Sequence, residues 1–181
     1  GPLAGPVYAA AVILSRGLEL PGLNDSKKLT EKRREALFDQ IIAQAETYCV
    51  AFVTAAEIDE MDILNARMLA MNRAIAGLSI TPELCLIDGN RDHGSAVAIA
   101  APHRCIVGGD GKSASIAAAS ILAKVSRDRY VSTELEAQYP QYQFAKHKGY
   151  GTKLHYAMLD QYGPCPAHRK SFLKKWEAKR P

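Results

Sequence analysis

The sequence predicts an α/β fold, and three observations carry that prediction. Cys105-Ile106-Val107 is a short apolar run that meets a glycine-rich turn around Asp110 and then an alanine-rich helix opening at Ser113. A second apolar run, Leu84 to Ile87, ends directly on Asp88-Gly89-Asn90. Between such strand-like runs lie segments with helical periodicity, the alternation expected of sheet strands joined by helices. At 181 residues and 48% hydrophobic content the chain can bury a real core, and this composition excludes a disordered chain.

In chain order, Gly1 to Pro6 cannot be helical, and Val7 to Leu14 reads as the first strand. A loop ends in Asp25-Ser26-Lys27-Lys28, and Thr30 caps a helix through about Ala45 with Leu37, Phe38 and Ile41 on one face. Lys27 and Lys28 are either phosphate contacts or solvated charges ahead of that helix. Tyr48 to Val53 is a second strand, and Thr54 with Glu57 matches a capping box. Leu64, Met68, Met71, Ile75 and Leu78 then form one buried stripe on a long helix ending at Gly77. The helix after Ser113 is apolar on most sides except for the line Ser120, Lys124, Asp128. Thr152 caps a last helix reaching about Gln161, with Gly163 as its stop.

Two acids thus stand at the ends of two apolar strands. If those strands are neighbours about 4.8 Å apart, the carboxylates of Asp88 and Asp110 can share metal ions. Paired ions in nucleases sit roughly 3.5–4 Å from each other on ligands of this kind. The plainer reading of Asp110 is a turn residue among glycines. Asp128 reads as a structural partner of Lys124 or Arg127, because an acid in the last turn of a helix opposes the macrodipole.

The net charge of +4 permits a polyanionic partner. After residue 131 the chain turns basic and aromatic, most densely in Lys146-His147-Lys148-Gly149-Tyr150, a mixture suited to phosphate contact and to stacking on sugar or base. Cys49, Cys85, Cys105 and Cys165 are scattered without metal-binding spacing, which points to reduced thiols and a cytoplasmic setting. No apolar run reaches membrane-spanning length. Val7 to Leu14 could pass for a signal-peptide core, but no basic segment precedes it among residues 1–6, and it is expected to be a strand.

Several of these segments together resemble one family, the type 2 ribonucleases H of the bacterial ribonuclease HII group. They are GPLAGPV at the start, DSKKLTEKRRE, IDEMDILNARMLAMNRA, LIDGN, GGDGKSASIAAASILAKVSRDR, YPQYQFAKHKGYGT, and HRKSF. The resemblance implies a ribonuclease H-like mixed sheet flanked by helices. It implies one domain over residues 1–181, with a basic helical extension from about 132 onward. It also implies an endonuclease that uses Mg2+ or Mn2+ to cut the RNA strand of RNA–DNA hybrids, and to cut 5′ of single ribonucleotides in duplex DNA. Such an enzyme would act as a monomer in ribonucleotide excision repair and leave 3′-OH and 5′-phosphate ends. Asp88 and Asp110 map to two of the family's four metal-binding acids. Tyr150 maps to the tyrosine that reads the ribose, with Gly1, Lys27 and Lys148 as further substrate contacts.

The family carries an Asp-Glu pair and a Gly-Arg-Gly motif on a central strand, and Gly1 matches the last glycine of that motif. For residues 1–181 alone the expectation is therefore an absent central strand, a gap between Val7–Leu14 and Leu84–Ile87, and a catalytically inactive form that binds nucleic acid. A nucleotide phosphotransferase is a separate rival, since Gly111-Lys112-Ser113 imitates the end of a P-loop. That motif requires a glycine where Ile106 stands.

Overall fold

The computed structural model describes residues 1–181. Val7–Ile13 forms β1 and Thr47–Val53 forms β2, antiparallel to it from Val7 opposite Val53 to Ile13 opposite Thr47. Between them runs α1, Glu31–Gln44, whose first turn is closed by the Thr30 hydroxyl accepting the Arg33 N–H at 3.2 Å. Leu37, Phe38 and Ile41 of α1 pack on Ala118, Ile121, Leu122 and Val125 of α4, the helix Ala114–Tyr130. Each large side chain buried there contributes about 1.5–3 kcal/mol. The alanines let α4 lie close across β1.

The stripe expected on one long helix is divided between two. α2, Ala55–Met61, begins with the Thr54–Glu57 capping box, both of whose bonds form. Asp62 then turns to φ 73°, ends α2, and caps α3, Ile63–Ala76, by accepting the Asn65 N–H at 2.9 Å. Buried Asn65 holds the break in place, donating to Met61 O and accepting from the backbone of Ala96 and Val97. Gly77 does end α3, but at an ordinary φ of −82°. Its glycine is required by proximity, because a Cβ there would lie 2.3 Å from Cys49 Sγ.

Cys85–Asp88 forms β3 and His103–Ile106 forms β4, parallel and in register from Cys85 opposite His103 to Asp88 opposite Ile106. Val107, expected within that strand, lies beyond it and is 65% exposed. β1–β2 and β3–β4 are separate two-stranded sheets, so β1 and β3 do not pair.

After Tyr130 the helix continues through a π-helical turn, Val131–Leu135, into α5, Glu136–Gln138. Asp128 therefore does not stand in a last turn, and the macrodipole argument does not apply to it. Its ion pair with Lys124, at 3.2 Å, forms all the same. Then come α6, Phe144–His147, α7, Lys153–Tyr162, with Thr152 and Gly163 as its caps, and α8, Lys174–Glu177. These later helices wrap the first residues of the chain: Leu3 packs with Leu159, Leu173 and Trp176, and Ala4 bridges His168. All four cysteines are free thiols, and no helix is long and apolar enough to cross a membrane.

Candidate active site

Parallel pairing brings the ends of β3 and β4 level, and the turn after β4 does the rest. Gly108 adopts φ 65°, the chain makes one tight helical turn over Gly109–Gly111, and Ser113 opens α4. In that turn the Gly109 N–H donates to Asp88 Oδ1 at 2.8 Å, which sets Asp110 beside Asp88. A Cβ on Gly109 would meet Ile116 Cδ1 at 2.6 Å and Asp88 Oδ1 at 3.3 Å, so the approach depends on glycine. Burial pushes the Asp110 carboxyl above its ordinary pKa, and the nearby charges of Asp88 and Asp25 add to the rise.

Asp25 is an acid that sequence reasoning left out of the site. Its carboxylate accepts the Lys27 N–H at 2.9 Å, which lowers its pKa, and its charge lies near enough to Asp110 to help raise that acid's pKa. The loop that carries it is tied to α4 by the Ser26 and Ser120 hydroxyls, 3.1 Å apart. Its sequence signal was the Asp25-Ser26-Lys27-Lys28 cluster, but the facing of that loop on Asp110 is a tertiary fact.

Crowded carboxylate oxygens are the donors that hard divalent cations select, and a cation would relieve the repulsion that raises Asp110. The kind of donor therefore fits Mg2+ or Mn2+. The number falls short, since no three Asp, Glu, His or Cys side chains are placed to enclose an ion by themselves. Lys112 does not act as a P-loop lysine here; its ammonium closes the turn on Val107 O at 2.8 Å.

Tyr150 lies farther along α4, by Lys124, about three turns beyond the Ser113 cap. It is 39% exposed. Lys124 donates to its hydroxyl at 3.3 Å, and the Lys124 and Arg127 cations sit 5.2 and 5.4 Å from its ring centre. Arg127 is buried and anchors two backbones at once, donating to Lys148 O at 2.9 Å and Ala4 O at 3.1 Å. Buried Arg169 does the same for Gly5 O and Pro6 O. Lys148, expected to face substrate, is half-buried and donates its ammonium to the Ser132 hydroxyl. Lys27 is exposed beside Asp25. Gly1 is exposed next to Phe172 and Arg169.

Gly149 joins these parts. Its φ is 86°, and a Cβ would lie 2.6 Å from Ala4 O. Left-handed strain of roughly 1–2 kcal/mol and an overpacking cost of roughly 1–3 kcal/mol make Gly149→Ala destabilising by about 2–5 kcal/mol. Chemical denaturation of the variant checks this, and a loss under about 1 kcal/mol would contradict the close approach.

A slot of about 660 Å³ separates the two sheets, bounded by Val7–Leu14 on one side and Leu84–Asp88 on the other, with Met71 and Ile75 of α3 and Ile116 and Ala123 of α4 closing it. Asp88 lines it, and it follows α4 as far as the residue before Lys124.

The family profile described as Ribonuclease HII matches residues 1–176. A ribonuclease HII of Caldicellulosiruptor saccharolyticus is 52% identical over 174 residues, covering 96% of this chain and 82% of that protein. One from a Shewanella species is 57% identical over 173 residues, covering 95% of this chain and 82% of that protein. The crystal structure of ribonuclease H2 from Pyrococcus horikoshii OT3 superposes with a TM-score of 0.77 at 27% identity, covering 99% of this chain and 95% of that one.

Proposed function

This chain belongs to the ribonuclease HII family, and from that premise we propose that it is an endonuclease acting on RNA–DNA hybrids and on single ribonucleotides in duplex DNA, by hydrolysis that depends on Mg2+ or Mn2+. The observation that carries this reading is the Gly109–Asp88 hydrogen bond, which makes Asp88 and Asp110 one acidic site at the strand ends.

In the proposed reaction Asp88 and Asp110 would hold the cation, and Asp25 would add negative charge beside them. When bound, the metal supplies activation of the attacking water and neutralisation of charge on the leaving 3′ oxygen. Water adds to phosphorus and the bond to the 3′ oxygen breaks, leaving a 3′-OH on one product and a 5′-phosphate on the ribonucleotide. Lys27 contacts a backbone phosphate, which orients the duplex without reading it. Tyr150, kept on Lys124 and Arg127, packs on the ribose and senses the 2′-OH, the group that separates RNA from DNA. We place the enzyme in the cytoplasm, as a monomer serving removal of misincorporated ribonucleotides.

The short donor set favours a second reading for residues 1–181 taken alone, a nucleic-acid binder without cleavage. Further carboxylates on a strand in the slot would complete the metal site.

Tyr150→Ala tests the substrate assignment. Loss of a stacking contact worth about 1–3 kcal/mol should slow cleavage at a lone ribonucleotide roughly tenfold or more. Affinity for the matching all-DNA duplex, which rests on phosphate contacts, should change by less than about twofold. Equal losses in both measurements would reduce Tyr150 to a packing residue.

A further inference from the structure

We infer that His155 and His168 are positioning residues for Tyr150, a one-way relay of hydrogen bonds running from the Cys165 amide to the Tyr150 carbonyl. Its bearing on substrate choice rests on the reading of Tyr150 as the ribose contact. The direction of every bond is forced. A backbone N–H only donates, so the Cys165 N–H, 2.9 Å from His168 Nδ1, leaves that nitrogen without a proton. Neutral His168 then carries its proton on Nε2, which faces His155 Nε2 at 2.9 Å. His155 accepts there, so its own proton sits on Nδ1, which donates to Tyr150 O at 2.9 Å.

The relay is sealed from water. His155 is 0% and His168 1% exposed. Phe144 packs on both rings at 5.7 and 5.9 Å, and Tyr142 meets His168 at 5.0 Å. His147 stacks on His155 at 4.0 Å and is oriented in the same manner, accepting the Gly149 N–H and donating to Tyr142 O.

No anion faces the two rings. The titratable groups around them are His147, with Glu136 near it, the Cys165 thiol and Tyr142 phenol, both raised by burial, and the Arg127 and Arg169 cations, each committed to carbonyls. Burial holds His155 and His168 down to about 4 each. A proton forced onto His155 Nε2 would set two N–H groups against one another and break the chain.

Between about 6.5, the free value, and about 4, unfolded histidines bind protons that the folded ones refuse. The stability held by the relay is complete above about pH 6.5 and is lost as pH falls toward 4.

Long-range 15N–1H correlation spectra of the imidazoles test the relay in the unaltered protein. The expected result is His155 as the Nδ1–H tautomer and His168 as the Nε2–H tautomer, both still neutral at about pH 5. His155 as the Nε2–H tautomer, or charged near pH 6, would overturn it. The second arm compares His155→Leu with His155→Asn, whose amide keeps a donor where Nδ1 stood. His155→Leu should release the Tyr150 ring to free-tyrosine chemical shifts and slow cleavage at a lone ribonucleotide about tenfold, and His155→Asn should restore both. Unchanged Tyr150 resonances in a folded His155→Leu protein would refute the positioning role. If His155→Leu does not fold, His155→Asn and the titration of the unaltered protein decide. The expected spectra together with a silent Tyr150→Ala would leave the relay standing and remove only the ribose reading.

Discussion

Asp110→Asn is expected to lower metal-dependent cleavage by at least about 10²–10³-fold, the scale of removing a single hydrogen-bond donor from a preorganised electrostatic site. Parent and variant are compared at equal Mg2+ or Mn2+ concentration, with a strand bearing further carboxylates placed in the slot where residues 1–181 alone do not cleave. Folding should not suffer. Asp110 is held above its ordinary pKa by burial and by Asp88 and Asp25, so a neutral amide of the same shape removes repulsion. The expected pair of results is a thermal midpoint equal to or above that of the parent and a collapse of the rate. Near-normal cleavage would remove Asp110 from the metal site, and a collapsed midpoint would make it a structural residue of the Gly109–Gly111 turn.

The slot carries the second large effect. β1 pairs only with β2 and β3 only with β4, so each presents an unpaired edge to the gap. Each buried backbone group left without a partner costs about 1–3 kcal/mol, against a usual total stability of roughly 5–15 kcal/mol. Exposed edges also invite association with another chain. Placing an apolar strand ahead of Gly1, ending in an acidic pair, should raise the thermal midpoint by roughly 10–20 °C, the equivalent of about 5 kcal/mol for a chain of this size. Residues 1–181 alone should show concentration-dependent association in sedimentation velocity. Equal midpoints and a clean monomer at all concentrations would mean that the slot needs no strand.

Local chemistry accounts for what could be read from the residues alone. The Thr30, Ser113 and Thr152 caps, the Thr54–Glu57 box and the Gly163 stop all act within one turn, and all form. The two apolar runs marked Asp88 and Asp110 as acids near strand ends, while the parallel pairing that brings those ends level is set by the fold. Features set by distant partners stayed hidden. The break at Asp62 depends on buried Asn65 gripping the loop around Ala96, some thirty residues on. The long helix passes Asp128 because a π-helical turn carries it to Gln138, which no residue pattern announces. Asp25 joins the acidic site through a loop folded onto α4, and Lys148 turns inward to Ser132 although its sequence neighbours suggested an open basic loop. The histidine relay links residues 155 and 168 through the fold rather than through spacing.

Mapping product ends on a labelled DNA duplex with one ribonucleotide, with the slot filled and Mg2+ or Mn2+ present, decides whether the acids drive hydrolysis at the 2′-OH-bearing residue. One cut 5′ of the ribonucleotide is expected, giving a 3′-OH and a 5′-phosphate, absent with chelator, absent on the all-DNA duplex and absent with Asp110→Asn. A 2′,3′-cyclic phosphate end, or equal cutting of the all-DNA duplex, would contradict water attack at an acid-held metal site guided by recognition of the 2′-OH.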